Sequence, residues 1–206
     1  SGALSHTAGV TLHVTAAGGG GGALAGSVAA PSGTQQLNTL GTLDWAHWGR
    51  TSASTFNHKA GVPQQISNYT PVGGAAGQRY TDNPFGYSWS GGTPTASANN
   101  TTTGLWISGL NRGFRITVPA DTTTKVLKVF VGAWNTQGKL VAHLSDNSAP
   151  DYADTSLNST GQDAMGVYTI NFRAASAGQT LTVTFTQNTA TGGNINWQAA
   201  ALSPGP

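Results

Sequence analysis

The chain contains no cysteine and no glutamate, and only 8% of its 206 residues carry a charge. Without a thiol there is no disulfide framework, no cysteine nucleophile and no thiolate metal ligand. All seven acids are Asp, so chemistry that relies on Glu is excluded, as is the bidentate Glu that closes an EF-hand calcium loop. Positive charge is scattered as well: nine Lys and Arg give a formal net charge of +2 without forming a run or stripe. Nucleic-acid binding needs a concentrated basic patch and is not expected. No apolar stretch approaches the ~20 residues of a membrane span, so no membrane partner is expected either. The first residues carry no charged-then-apolar leader, and we expect a piece of a larger precursor.

What the chain does have is 29 Gly, much Thr, Ser and Asn, and an aromatic surplus of six Trp, five Tyr and six Phe. That mixture predicts strands joined by turns, with hydroxyls and amides in place of charges on the surface. It fits a secreted, extracellular bacterial protein better than a cytosolic enzyme. In residues 1–16, Val10, Leu12 and Val14 alternate with polar neighbours, the period-2 pattern of a half-buried strand. This segment resembles the closing strand of an upstream immunoglobulin-like domain. Residues 17–33 have the Gly/Ala-rich composition of a flexible tether. The main domain is expected over 34–206.

From Thr34 onward, short alternating strands recur between turn signals, the pattern of an all-β antiparallel sandwich. Phe114, Ile116 and Val118 oppose Arg115 and Thr117; Leu181, Val183 and Phe185 oppose Thr182, Thr184 and Thr186. The run 125–134 is apolar on both faces and suits a central strand. We expect it to form a hairpin with 139–144 across Asn135–Gly138, and 167–172 to form a second hairpin with 181–185 across Ala174–Gly178. Ile195, Trp197, Ala199 and Ala201 are predicted to share one face of a closing strand, opposite Asn196, Gln198 and Ala200. Residues 113–146 (GFRITVPADTTTKVLKVFVGAWNTQGKLVAHLSD) and 168–186 (YTINFRAASAGQTLTVTFT) resemble a galactose-binding-like jelly roll, the scaffold of many carbohydrate-binding modules. That resemblance implies an accessory domain, joined to a catalytic domain on the same precursor chain, with polysaccharide as its ligand. Fold by itself assigns no function.

A sugar site needs exposed aromatic faces, on which pyranose C–H faces stack, beside planar polar groups that bond hydroxyls. In Leu43–Arg50, strand alternation puts Leu43, Trp45 and His47 on one face and Asp44, Ala46 and Trp48 on the other. Trp45 and Trp197 are expected in the core. Trp48, at the strand end beside Gly49 and Arg50, is the better candidate for exposure. Tyr87 and Trp89 share a strand face before a Gly-Gly turn, and Trp134 stands at a turn beside Asn135 and Gln137. The expected ligand-binding set is therefore Trp48, Trp89, Trp134 and Tyr87 for stacking, with Asp44, His47, Asn135 and Arg112 as polar partners. Trp106 sets an indole opposite its neighbours Leu105 and Ile107. Core burial is the competing expectation for each Trp.

A structural calcium ion is the one cofactor weighed. Asp146, Asp151 and Asp154 are weak candidate ligands, and Asx turns explain their loop equally well. No catalytic residues are assigned. Gly86–Ser90 lacks the last Gly of a nucleophile elbow, His47 and His58 do not have a zinc-site spacing, and seven scattered Asp offer no evident acid/base pair. The expected function is a non-catalytic carbohydrate-binding module. The alternative is a structural spacer domain of a large secreted protein with every Trp internal.

Overall fold

The computed structural model describes residues 21–206; the strand expected in 1–16 lies outside them. In chain order the elements are β1 (Ala23–Ala29), β2 (Gln35–Gln36), the one-turn helix α1 (Leu37–Leu40), β3 (Asp44–Trp48), β4 (Phe56–Lys59), β5 (Thr70–Val72) and β6 (Gln78–Tyr80). They continue with β7 (Tyr87–Ser90), β8 (Gly92–Thr93), β9 (Ser97–Thr101), β10 (Gly104–Ile107), β11 (Gly113–Ala120) and β12 (Lys125–Trp134). The last five are β13 (Gly138–Leu144), β14 (Tyr152–Asp154), β15 (Asp163–Arg173), β16 (Gln179–Gln187) and β17 (Asn194–Pro204).

These strands build the expected antiparallel β-sandwich. One sheet has nine strands in the order β1-β15-β12-β17-β3-β4-β8, with β10 joined to β17 and β6 to β10. A five-stranded sheet, β14-β13-β16-β11-β5, forms the second layer. Leu127, Val129 and Val131 from the first sheet meet Phe114, Ile116, Leu181, Val183 and Phe185 from the second in one buried core. The faces of β11 and β16 follow the sequence alternation, with β-branched Thr filling the solvent side where it fits a pleated surface. Among the described residues, no helix is long and apolar enough to cross a membrane.

Three expectations are corrected. Residues 23–29, inside the stretch expected to be a tether, form β1, paired with β15 from Ala23↔Arg173 to Ala29↔Val167. Leu24 and Val28 anchor this strand by packing on the core, which a composition-based reading of Gly and Ala does not see. Neither expected hairpin forms: β12 pairs with β15 and β17, while β13 pairs with β14 and β16 in the other sheet. Both turns carry the chain from one layer to the other. Gln137 is held away from β12 by the 188–191 loop: its carbonyl accepts the Asn188 N–H at 2.8 Å, and its own N–H donates to Thr189 Oγ1 at 3.1 Å. Finally, β17 is central rather than closing, lying between β12 and β3.

The face assignment within β17 also changes. Pairing with β12 shifts register between Phe130↔Ala199 and Val131↔Trp197, leaving Gln198 as the extra residue of a bulge. Ile195 and Trp197 face the sandwich core, as do Ala200 and Leu202 beyond the bulge, whereas Ala199 and Ala201 turn to the opposite face. There they meet a third, small sheet, β2-β7-β9, which roofs part of the outer face of the nine-stranded sheet.

Candidate functional site

The outer face of the nine-stranded sheet divides into a roofed half and an open half. Under the roof, Trp45 and His47 rise from β3 and Phe130 from β12, and Leu37, Tyr87 and Trp89 cover them. The rings are close: His47 to Trp89 at 4.9 Å, and Trp45 to Trp89, His47 to Tyr87 and Tyr87 to Phe130 at 5.5 Å between centroids. Asn38 latches the roof by donating to the Ser90 carbonyl at 2.9 Å and accepting the Ser90 N–H at 2.8 Å.

This arrangement removes most of the expected binding residues from solvent. Trp89 and Tyr87 are buried, with the Trp89 indole N–H donating to the Thr95 carbonyl at 3.0 Å. Trp48 is fully buried on the core side, wedged against Phe56 and Trp197, and donates to Asn68 Oδ1 at 2.8 Å. Its place at a strand end predicted exposure, but β3 is flanked by β17 and β4, so the end of this strand is interior. Asp44 is a buried staple whose carboxylate accepts the N–H groups of Trp45, Gln65 and Ile66 at 2.7–2.8 Å. His47 is fully buried, and burial drives its pKa down to about 3. Its neutral ring donates from Nε2 to the Thr103 carbonyl at 3.1 Å and leaves Nδ1 without a partner. Arg112 is exposed but lies over the Gly109 and Gly73 turns, away from the other candidates. Asn135 adopts a left-handed conformation, and its carbonyl accepts the Thr191 hydroxyl, so it shapes the turn.

Of the expected set, Trp134 alone stands in a cleft, at 40% exposure. This cleft, about 320 Å³ in volume, occupies the open half of the same outer face, and Trp106 is its second aromatic wall. Register explains how it is built. Trp106 sits opposite Asn196, and Asn196 opposite Gly132. In the next row on the same face, Trp134 lies between Asn194 and Asp163. Tyr80 enters from β6 opposite Gly104, and Asp82 follows it. Residues directly opposite on one face have Cβ atoms roughly 5 Å apart, so the two indoles, two amides and two carboxylates converge.

Two glycines give the cleft its depth. A Cβ on Gly132 would run into the Asn196 amide and come within 2.6 Å of Met165 Sδ; one on Gly104 would come within 2.6 Å of the Tyr80 ring. With no side chain at either point, Asn196 and Tyr80 lie down against the sheet. The bulge residue Gln198 then fixes them, donating to the Tyr80 hydroxyl and, at 2.6 Å, to Asn196 Oδ1. Burial pushes the Tyr80 phenol up, so it stays protonated. Burial, and next the charge of nearby Asp82, push the Asp163 carboxyl up.

The cleft is rich in unspent hydrogen-bonding capacity. Among the described residues, the indole N–H groups of Trp106 and Trp134, the Asn194 amide, Asn196 Nδ2 and the carboxylates of Asp82 and Asp163 make no side-chain hydrogen bond or ion pair. Asn196 is only 4% exposed, so its free amide N–H is a positioned donor at the cleft floor. Composition did not reveal Tyr80, Asp82, Asp163, Asn194 or Asn196 as site residues. The available signal was phase: Asn194 and Asn196 oppose Ile195 and Trp197, as Trp106 opposes Leu105 and Ile107, so amides and an indole occupy the face that should be dry or solvated uniformly.

The three Asp weighed as calcium ligands diverge. Asp146 accepts Ser148 and Ala175, Asp151 pairs with His143 at 2.7 Å, and Asp154 accepts Ser156 and the Tyr168 hydroxyl. Each is engaged in its own local turn or pair, and no group of three or more His, Cys, Asp or Glu placed to hold a metal occurs among the described residues.

No protein-family model and no curated protein sequence matches the chain. In fold it resembles three solved structures. The first is TmCBM61 in complex with β-1,4-galactotriose (TM-score 0.43, 13% identity, covering 68% of this chain and 90% of that one). The second is the CBM22-1 xylan-binding domain of Paenibacillus barcinonensis Xyn10C (TM-score 0.40, 11% identity, 78% and 94%). The third is the enzymatically active domain of bacteriophage CBA120 tailspike protein 4, of which this chain covers a fifth (TM-score 0.35, 13% identity, 68% of this chain and 20% of that one).

Proposed function

We propose that the cleft between Trp106 and Trp134 binds carbohydrate, and that the chain is a non-catalytic module which holds a secreted enzyme of the same precursor on polysaccharide. One observation carries this reading: two solvent-facing indoles flank amide N–H and carboxylate groups that have no side-chain partner among the described residues. A pyranose offers what such a cleft lacks, a flat C–H face for each indole and a ring of hydroxyls for the donors and acceptors between them. Apart from Asp82, which follows β6, the lining residues stand on strands, which favours a preformed site and little ordering on binding. Tethering would then raise the local substrate concentration of the attached catalytic domain.

The spacer alternative requires every Trp to be internal, and Trp134 does not meet that condition. A hydrolase reading has one point in its favour, the pairing of Asp82 with Asp163, since glycoside hydrolysis uses two carboxylates held at different protonation states. Both are on the open rim of the cleft, whereas a proton-donating acid is kept in a dry site. A single experiment separates the three. The purified chain is incubated with insoluble and soluble polysaccharides, including cellulose, xylan, mannan, chitin, galactan and β-glucans, and retention and reducing-sugar release are read in the same tubes. Retention without release, lost in Trp106→Ala and Trp134→Ala, is the expected outcome. Release would establish the enzyme, and absence of retention on every polymer would favour the spacer.

A further inference from the structure

We propose that the cleft prefers a glycan carrying a protonated amine over neutral and acidic chains of the same backbone. This rests on the carbohydrate reading above and specifies the class of sugar. The lining contains two carboxylates, Asp82 and Asp163, and no Lys or Arg. The ion pairs among the described residues are Lys125–Asp121 and His143–Asp151, neither of which touches the cleft. Its negative charge is therefore uncompensated among the described residues. The upward push that Asp82 exerts on Asp163 is the same fact seen from the carboxyl group: a cation placed between them relieves it.

The aromatic walls point the same way. An indole face attracts a cation as well as a C–H face, and Trp134 stands directly opposite Asp163 in the β12–β15 register. A pyranose stacked on Trp134 thus carries its substituents to within reach of a carboxylate. If one substituent is an ammonium, it gains an ion pair, an indole face and the neutralisation of a like-charge pair at once. Asn196 Nδ2, a donor on a 4% exposed side chain at the floor, remains for a hydroxyl or ring oxygen. A hydroxyl in place of the ammonium satisfies a carboxylate less well, and a uronic acid meets repulsion.

A divalent metal is the other cation to weigh, and the lining suits it poorly. A hard ion takes six to eight oxygen ligands, whereas two walls here are indoles and Asn196 Oδ1 already accepts from Gln198. General attraction between protein and polycation does not account for the preference either, because the chain has a formal net charge of +2.

The test compares β-1,4-linked oligosaccharides of equal length by calorimetric titration of the purified chain at a pH where amines are protonated and carboxylates ionised. The probes are the glucosamine hexamer, its N-acetylated form, cellohexaose and the hexamer of β-1,4-linked glucuronic acid. The expected result is binding of the free-amine hexamer at least about tenfold tighter than of cellohexaose, with the glucuronic acid hexamer weakest. In the double variant Asp82→Asn/Asp163→Asn that ratio falls to about two or less, while its unfolding midpoint stays at the wild-type value. Equal or tighter binding of cellohexaose, with Trp134→Ala still abolishing it, overturns the amine preference and leaves the carbohydrate reading standing. Neutral-chain binding that is lost on adding EDTA and restored by calcium also overturns it, in favour of a metal. No binding by these oligosaccharides or by any polymer above overturns both.

Discussion

Trp45 and Trp106 both project from the outer face of the nine-stranded sheet, yet one is fully buried and the other walls an open cleft. The difference lies in what covers them. Over Trp45, His47 and Phe130, the β2-β7-β9 sheet places Tyr87 and Trp89 and completes a second hydrophobic core. Among the described residues there is no such roof over Trp106 and Trp134, and the neighbouring positions are Asn, Asp and Gly instead of Ala and Phe. The same strands supply both halves: β12 contributes Phe130 to the first and Trp134 to the second. An aromatic side chain on this face becomes buried or cleft-lining according to one added layer, not according to its own strand.

That contrast can be broken most forcefully from the roofed side. Trp45→Ala or Trp89→Ala should destabilise the domain by about 3–5 kcal/mol, the range for truncating a buried aromatic, as measured by chemical denaturation. Any loss of polysaccharide retention in these variants should track the unfolded fraction. Asp44→Ala should follow at about 3 kcal/mol, because it orphans three backbone N–H groups that now share a buried carboxylate. A stable Asp44→Ala protein would show those donors to be satisfied otherwise.

His47 gives the comparison a pH axis. Its folded pKa of about 3 lies below the ordinary 6.5, so the fold favours the neutral ring. This contribution is complete above pH ~6.5 and is lost as pH falls from there toward 3, because the unfolded chain takes up a proton that the folded one refuses. One proton refused amounts to about 2 kcal/mol by pH 5. His47→Gln should flatten the fall in stability between pH 6.5 and 5 relative to wild type; parallel curves would mean the ring is accessible to protons.

The open half should respond in the opposite way. Trp106→Ala and Trp134→Ala should change stability by no more than about 1 kcal/mol while removing retention on the ligand. The smallest effect is spectroscopic. Acrylamide should quench the fluorescence contributed by Trp106 and Trp134 and leave Trp45, Trp48, Trp89 and Trp197 protected, so that Trp106→Phe/Trp134→Phe removes the quenchable fraction. Quenching that survives the double substitution would mean that the roof opens.

Strand identity was legible in the sequence wherever one face alternates strictly, as in Phe114–Val118 and Leu181–Phe185. Sheet membership was not. A turn such as Asn135–Gly138 has the length and residue types of a hairpin loop, and what sends it across the sandwich is a set of bonds to residues 188–191, some fifty positions away in sequence. The site was legible in part for the same reason. Trp134 was recognisable at its turn, but Trp48 and Trp89 look equally exposed in one dimension. Trp48 is buried by Phe56 of β4 and Trp197 of β17, and Trp89 by Trp45 and His47 of β3. Tyr80 and Asp82 reach the cleft through β6, a three-residue strand with too little pattern to announce itself.

The extra residue in β17 has a consequence for how this chain can vary. Upstream of Gln198, odd-numbered side chains enter the sandwich core; downstream, even-numbered ones do. One residue therefore separates two reading phases along the central strand. Removing it would set the two runs in step, because Trp197 and Ala199 would become neighbours opposite the neighbours Val131 and Phe130. The core would keep its faces, with Trp197, Ala200 and Leu202 inward and Ala199 and Ala201 outward, but the amide that holds Tyr80 and Asn196 at the cleft would be gone. Loss of the extra residue is thus tolerable to the core and costly to the cleft, so lineages that carry this cleft should keep the bulge, and lineages that have lost the cleft are free to straighten the strand.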